Sequence, residues 1–511
     1  MRGNDSGCPA YPRGTNAPPH PTPSLDDLEG VTTLGALLAA AEYTTDGLKE
    51  SLGAEGELRT ATADVPVHLQ RLTDSSLRST LIRLFFLGAP VSRADTSTAL
   101  QELDLERLEA IQVLEPKGDD VRALLRLVPH KDVLVACDRY ADPGADLADE
   151  VPGVSAPSVF LANLTVRMHF VSALDVGTGS GVQALLAGRH TDRVVATDAN
   201  PRALAFTRFG AKLNGLDNVE CLEGDLLEPV AGRSFGLITA NPPYVISPDF
   251  AYLYRDSGLP GDSFCRDLVR QIPAHLSEGG FAHILVSWVL RPGEEWQAPL
   301  REWVAETGCD AWLLHYKTEN PVDYAASWNA PLKATDPAGF ATALARWMDY
   351  YRELGAEKLA YGAVILRRRT RGKNWVREES VPTAQIGPAG DQVVRAFVNH
   401  DLLASLPGPD QLLDEVLAVV EPQRIEQIWR HKDEGLELES ARVRLEWGLG
   451  FAVGVDTYTI ELLARFDGRT RLRDLFAQIA RDSQIEEDAV GRAGLPAVRR
   501  LLELGFLARA A

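Results

Sequence analysis

Asn241-Pro242-Pro243-Tyr244 follows directly on the apolar run Phe235–Ala240. Two consecutive prolines cannot belong to a regular helix and give no hydrogen to a sheet. They fix the backbone and delete two N–H donors, so what points outward is a pair of acceptors: the Asn241 side-chain oxygen and the Pro242 carbonyl. Two acceptors at a set separation suit a single –NH2 group with its two hydrogens. Tyr244 adds a flat face beside them. The residues therefore fit a planar, sp2-attached amine, either a carboxamide or the exocyclic amine of a nucleobase. Such a nitrogen is a poor nucleophile because its lone pair is delocalised. Gripping both hydrogens localises that pair and aims it, so positioning and electrostatics carry the rate effect. The motif contains no histidine, and no strong base is required before attack.

The electrophile's site is read upstream. The run "SALDV" enters "GTGSG" and a helix-forming "GVQALLAG" follows. Gly177, Gly179 and Gly181 permit a tight strand-to-helix turn and close approach of a ligand. Asp175, just before the glycines, would repel a pyrophosphate and favours a ligand with a cationic end. The next strand ends in Asp198, placed to accept both hydrogens of a ribose diol. A third leads to Asp225-Leu226, where the carboxylate can accept from an adenine amine. A phosphate-free nucleoside with a positive, amino-acid-like end satisfies all of these. S-adenosylmethionine fits the set, whereas NAD fits the glycines and Asp198 but not Asp175. Cysteines 8, 137, 221, 265 and 309 form no CxxC pair, so no metal site is expected.

"LDVGTGSG", "ATDANPRAL", "EGDLLEP" and "ITANPPYV" occur in the order found in class I S-adenosylmethionine-dependent methyltransferases of the small-domain group. The stretch most resembles HemK-type protein-glutamine methyltransferases. The resemblance covers about 156–373. It implies that Gly177, Gly179 and Gly181 line the cofactor loop, that Asp175 lies near the methionine amine, that Asp198 binds the ribose, and that Asp225 with Leu226 sits at the adenine. It implies Asn241, Pro242 and Tyr244 as the residues that hold the methyl acceptor. Arg255 and Asp256 are exposed-loop candidates for substrate contact, and Trp288 is either a pocket wall or a core residue.

These residues need a scaffold, and the pattern supplies one. Strands at Ala173–Val176, Arg193–Thr197, Val219–Leu222, Leu237–Ala240, Ala282–Ser287, Ala311–Tyr316 and Gly362–Leu366 alternate with helices. That is the signature of a largely parallel sheet with helices on its faces, here a Rossmann-like, seven-stranded α/β methyltransferase domain. Residues 1–24, rich in Pro, Gly and Asn and without an apolar core, read as a disordered tail rather than a secretory signal. Residues 25–150 read as a helical, winged-helix-like domain with a hairpin turning at Pro129–Asp132. Residues 139–158 read as a connection. Residues 374–511 read as an α+β domain whose end, "TYTIELLARFDGRTRLRDLFAQIA" to "VRRLLELGFL", resembles the PqqD-like winged helices that hold extended peptides by strand addition.

The formal charge of -20 over 511 residues argues against a protein that coats nucleic acid non-specifically or sits on an anionic membrane, and leaves room for a local basic groove. No run of 18 or more apolar residues suggests a membrane span. The scattered cysteines fit a reducing compartment, so a cytoplasmic location is expected. Acidity favours a protein or peptide glutamine as the acceptor. The run Arg367–Lys373 ("RRRTRGK") reads as a solvated strand end leading to a linker, or else as a phosphate contact that would favour a nucleobase. A free amide or amine metabolite is a third option, and a scaffold that keeps S-adenosylmethionine without transferring its methyl is a fourth.

Overall fold

The computed structural model describes residues 20–510 apart from 55–57, 59–61, 102, 141–147, 250–251, 383–385, 421 and 433–434. Of the tail expected over 1–24, residues 1–19 lie outside the described residues. Thr22 and Ser24 give their backbone N–H groups to Gln112 Oε1 and the Ile111 carbonyl. The chain separates into two compact units. One holds the residues up to Ala162 with Met168–Glu379, and the other holds Asn163–Arg167 with the residues from Ser380 onward.

The first unit is built on a mixed sheet of strands β1 (Phe170–Val176), β2 (Thr191–Asp198), β3 (Val219–Glu223), β4 (Phe235–Ala240), β5 (Leu276–Leu290), β6 (Cys309–Glu319), β7 (Lys358–Arg368) and β8 (Val376–Ser380). Their order is β8-β6-β7-β5-β4-β1-β2-β3. The β1–β2, β2–β3, β1–β4 and β4–β5 pairs are parallel; β7 runs antiparallel to both β5 and β6. All seven expected strands are present. The eighth, β8, adds an edge beside β6, where the Ala311 N–H reaches the Trp375 carbonyl. From Phe281 to Leu290, β5 is buried at every position, as expected for a strand covered on both faces. The chain leaves β1 towards β2 and β3, then returns to the other side of β1 as β4. Val176 pairs with Ala240. The glycine turn and the Asn241–Tyr244 segment therefore leave adjacent strands at the same level, at the topological switch point of the sheet.

Helix Pro201–Leu213 follows β2. Asn200 caps it by accepting the Arg202 N–H, and Pro201 suits its first turn. Its Phe206, Phe209 and Leu213 enter one apolar core with Val31, Leu34 and Leu38 of helix Leu28–Ala40. Val91–Ser92, Asp120–Ala123 and Leu114–Lys117 form a three-stranded antiparallel sheet in that spatial order. The expected hairpin is Leu125–His130 with Val133–Asp138. It forms a sheet of its own, and Asn214 bridges to both the N–H and the carbonyl of Leu134.

In the second unit, Asp467–Arg471, Val416–Val419 and Leu507–Arg509 form a three-stranded sheet, accompanied by helices Gly390–Ser405, Thr457–Arg465, Leu472–Ser483 and Glu487–Glu503. A long hairpin, Gln423–Lys432 with Gly435–Leu445, has no counterpart in the sequence reading. Its alternating charges, including Arg442 with Glu426, obscure the apolar period that announces a half-buried strand.

Candidate active site

A cavity of about 510 Å³ opens above the β1 and β4 ends. It is lined by Asp175, Gly177, Gly179, Asp198, Asp225, Leu226, Asn241, Pro242 and Tyr244, so nine of the ten residues expected to hold the donor or the acceptor amine meet in one place. Gly181 serves the turn differently. Its φ is 82°, and a Cβ on it would lie 2.9 Å from Thr207 Oγ1 of helix Pro201–Leu213. Gly177 and Gly179 have φ of 66° and 56°, and a Cβ on either would enter open space. Both need glycine for backbone conformation, and both leave room for a ligand against the chain.

The acidic residues organise this turn as well as charging it. Asp175 accepts from Thr178 Oγ1 at 2.8 Å, Thr239 Oγ1 at 2.9 Å and the Ala184 N–H at 3.1 Å. Burial pushes its carboxyl up to about 6 in spite of these donors. Asp198 Oδ2 accepts the Gly179 N–H and Oδ1 the Asn200 N–H, both at 2.8 Å. Each oxygen keeps a further lone pair for the cavity, and burial raises this carboxyl too. Asp225 is more open; partial burial and then the Glu228 carboxylate push it upward. Leu226 has φ 46°, a strained value for a branched side chain. Thr197 Oγ1 holds its carbonyl at 2.9 Å.

At the other end, the Asn241 amide is half-buried. Neither it nor the Pro242 carbonyl has a hydrogen-bond partner among the described residues. The Tyr244 backbone carbonyl accepts from Ser287 Oγ. Its ring is buried and stands edge-on to Tyr361, centroids 6.5 Å apart. Burial holds the phenol well above its usual range, so it stays neutral.

Several residues that sequence reasoning passed over line the same cavity. Residues 148–158, taken as a connection, form a wall that includes Glu150, Pro152, Ser155 and Ser158. The wall is fastened by Val151 N–H to Asp138 Oδ2 at 2.7 Å, Asn200 Nδ2 to Asp149 O at 3.1 Å and Gln183 Nε2 to Ser158 O at 2.9 Å. A turn-rich composition conceals such a role, because the tethers come from residues distant in sequence. Phe264 and Trp328 join from further downstream.

Two expectations are corrected, and the alternative left open at Trp288 is decided. Arg255 and Asp256 are 8% and 1% exposed and pair with each other through two hydrogen bonds, with Arg255 over the Tyr252 ring. They brace the loop instead of standing on its surface, although Asp256 does line the cavity. Trp288 is fully buried and gives its N–H to the Trp296 carbonyl, which makes it a core residue. In the Arg367–Lys373 run, Arg367 and Arg369 both bind the fully buried Asp310, and Arg368 binds the Thr307 carbonyl. That leaves these three guanidinium groups committed to the protein itself.

Residues 154–286 match the model of the methyltransferase small domain, and residues 40–124 match a domain of unknown function, DUF7059. A putative protein N5-glutamine methyltransferase of Methanocaldococcus jannaschii is 30% identical over 28% of this chain and 74% of its own length. The chain belongs to the HemK-type small-domain methyltransferases. S-adenosylmethionine is the methyl donor of this class, and the open glycine turn, the free lone pairs of Asp198 and the buried Asp175 fit it. A release factor glutamine methyltransferase of Geobacter sulfurreducens is 32% identical over 22% of the chain and 44% of its own length. A ribosomal protein uL3 glutamine methyltransferase of Xanthomonas campestris is 33% identical over 21% and 39%. The chain thus spans less than half the length of these bacterial relatives. Among the described residues, no group of three or more His, Cys, Asp or Glu is arranged to hold a metal, and no helix is long and apolar enough to cross a membrane.

Proposed function

We propose that the chain transfers a methyl group from S-adenosylmethionine to the side-chain nitrogen of a glutamine in a protein or peptide. The observation that carries this reading is the Asn241 amide, half-buried and without a partner among the described residues, beside the Pro242 carbonyl and the neutral Tyr244 ring. A half-buried amide with no protein partner among the described residues keeps its oxygen available to a ligand N–H. When bound, the donor supplies an electrophilic sulfonium methyl. Asp198 would hold its ribose, Asp225 and Leu226 its adenine, and Asp175 its cationic amino-acid end. Asn241 and Pro242 take both hydrogens of the acceptor –NH2, so its lone pair lies across the carboxamide plane. Transfer would exchange the donor's C–S bond for the new N–C bond, and the nitrogen's extra proton would pass to water.

The relatives named for glutamine methylation, the charge of -20 and the committed arginines of the basic run support a protein acceptor over a nucleobase. We further propose winged-helix character for the segments flanking the methyltransferase region. The strand, helix, helix, hairpin order of Val91–Ala123 and the three helices with a small sheet after Val416 support it. The divisions 25–150, 156–373 and 374–511 and a cytoplasmic setting belong to the same proposal. The test is mass spectrometry of a lysate treated with the protein and isotopically labelled S-adenosylmethionine. Label on glutamine is expected. Label on adenine or guanine would replace this reading, and donor binding without transfer to any fraction would leave only the scaffold.

A further inference from the structure

Strands β6 and β7 are antiparallel neighbours, which a two-residue turn can join. Here Glu319 pairs with Leu359, and between them stand three helices: Pro321–Trp328, Ala330–Thr335 and Pro337–Glu353. The sheet does not need these helices to join the two strands, so what they touch is informative. The insert reaches the residues just after Asn241–Tyr244. Tyr324 Oη accepts the Ile246 N–H at 3.0 Å, and the Tyr351 hydroxyl donates to the Ile246 carbonyl at 2.9 Å. Asp249 accepts from Trp347 Nε1 at 2.8 Å and from Arg346. Both backbone polar groups of Ile246 and the Asp249 carboxylate are therefore held from the insert.

The insert also enters the cavity. Trp328 is half-buried and lines it together with Tyr244 and Phe264. Its indole N–H is spent on the Tyr361 hydroxyl at 3.1 Å, so the ring shows the cavity an apolar surface. Tyr361 in turn stacks on Tyr324 and stands edge-on to Tyr244. The acceptor end thus combines aromatic walls with the two free acceptors of Asn241 and Pro242. That arrangement suits a flat amide carried on a slender apolar stem.

We propose that Trp328 determines acceptor specificity, and that the insert carrying it is the positioning element for the Asn241–Tyr244 clamp. This rests on the amine-methylating reading above and adds the residue that selects among amines. The experiment uses the full chain and two acceptors: a glycine-flanked glutamine peptide and an adenine-containing oligonucleotide. Trp328→Ala should raise KM for the peptide on the order of tenfold, the scale of losing an aromatic contact, while calorimetric affinity for S-adenosylmethionine stays unchanged. Trp328→Phe should recover part of that loss. Tyr324→Phe, which removes one hydroxyl, should lower kcat and leave KM alone. Unchanged peptide kinetics in Trp328→Ala, or donor affinity falling in step with KM, overturns the proposal. If the wild type methylates the oligonucleotide and not the peptide, the glutamine reading fails, and the KM shift of Trp328→Ala on the oligonucleotide still decides the role of the insert. Transfer to neither overturns both.

Discussion

The two ends of the cavity are built by different rules. The donor end is local: Asp175, the glycine turn and Asp198 follow directly from two adjacent strands, and they hold one another through the Gly179 N–H and the Thr178 hydroxyl. The acceptor end is assembled from afar. Ser287 holds the Tyr244 carbonyl, Tyr324 and Tyr351 hold Ile246, and Trp328 comes from a helix between two later strands. The donor end is acidic and polar, the acceptor end aromatic with two free acceptors. The difference teaches that one rigid sheet edge can fix the donor while a separately supplied wall fixes what receives the methyl.

If the ends are separable in function, substitutions should divide cleanly between affinity and turnover. The largest expected effect is at Asn241. Asn241→Ala should cut methyl transfer roughly 10²–10³-fold, the scale of removing one preorganised partner, with donor affinity by calorimetry unaltered. A parallel loss of donor binding would merge the two ends. Asp198→Ala should do the reverse, weakening S-adenosylmethionine binding by roughly 1.5–3 kcal/mol, the value of a hydrogen bond to a charged group. An unaltered dissociation constant would remove Asp198 from the donor end.

The third and smallest effect is a pH dependence confined to the donor end. Asp175 titrates near 6 because burial disfavours its charge. A cationic ligand favours the carboxylate, so below pH 6 binding must displace a proton. Donor affinity should be level at pH 7–8 and fall below pH 6 by at most about tenfold per pH unit. For the empty protein the sign is opposite. A raised carboxyl contributes stability that is fullest below the unfolded-chain value of 3.8 and is lost as pH rises through about 6. Calorimetric titrations across this range check the first statement and thermal melts without ligand the second. Asp175→Asn should flatten both, and a wild-type affinity profile without slope would detach Asp175 from the ligand.

Legibility in the sequence follows the same division. The central strands of the sheet announce themselves because a parallel strand covered on both faces is a continuous apolar run, whereas the edge strand Val219–Glu223 has no buried residue. Asn241–Tyr244 is equally legible, since proline leaves few alternatives to the backbone. Trp328 and residues 148–158 are not, because composition does not record which loop a distant hydroxyl or guanidinium will hold. Arg255-Asp256 looks like a surface pair for the reason that charged neighbours usually are one. Its mutual bonding and the Tyr252 ring make burial tolerable. The edge strand β8 escaped because Val376–Ser380 is short and mostly polar.

The ladder beneath the insert has one more implication. From Cys309 to Glu319, β6 stays in register with β7 except for a single irregularity after His315. The base of the three helices is therefore clamped whatever lies above it. A lineage, or an engineer, could lengthen, shorten or exchange that cap as a cassette, retuning which molecules are modified while the nucleoside socket stays intact.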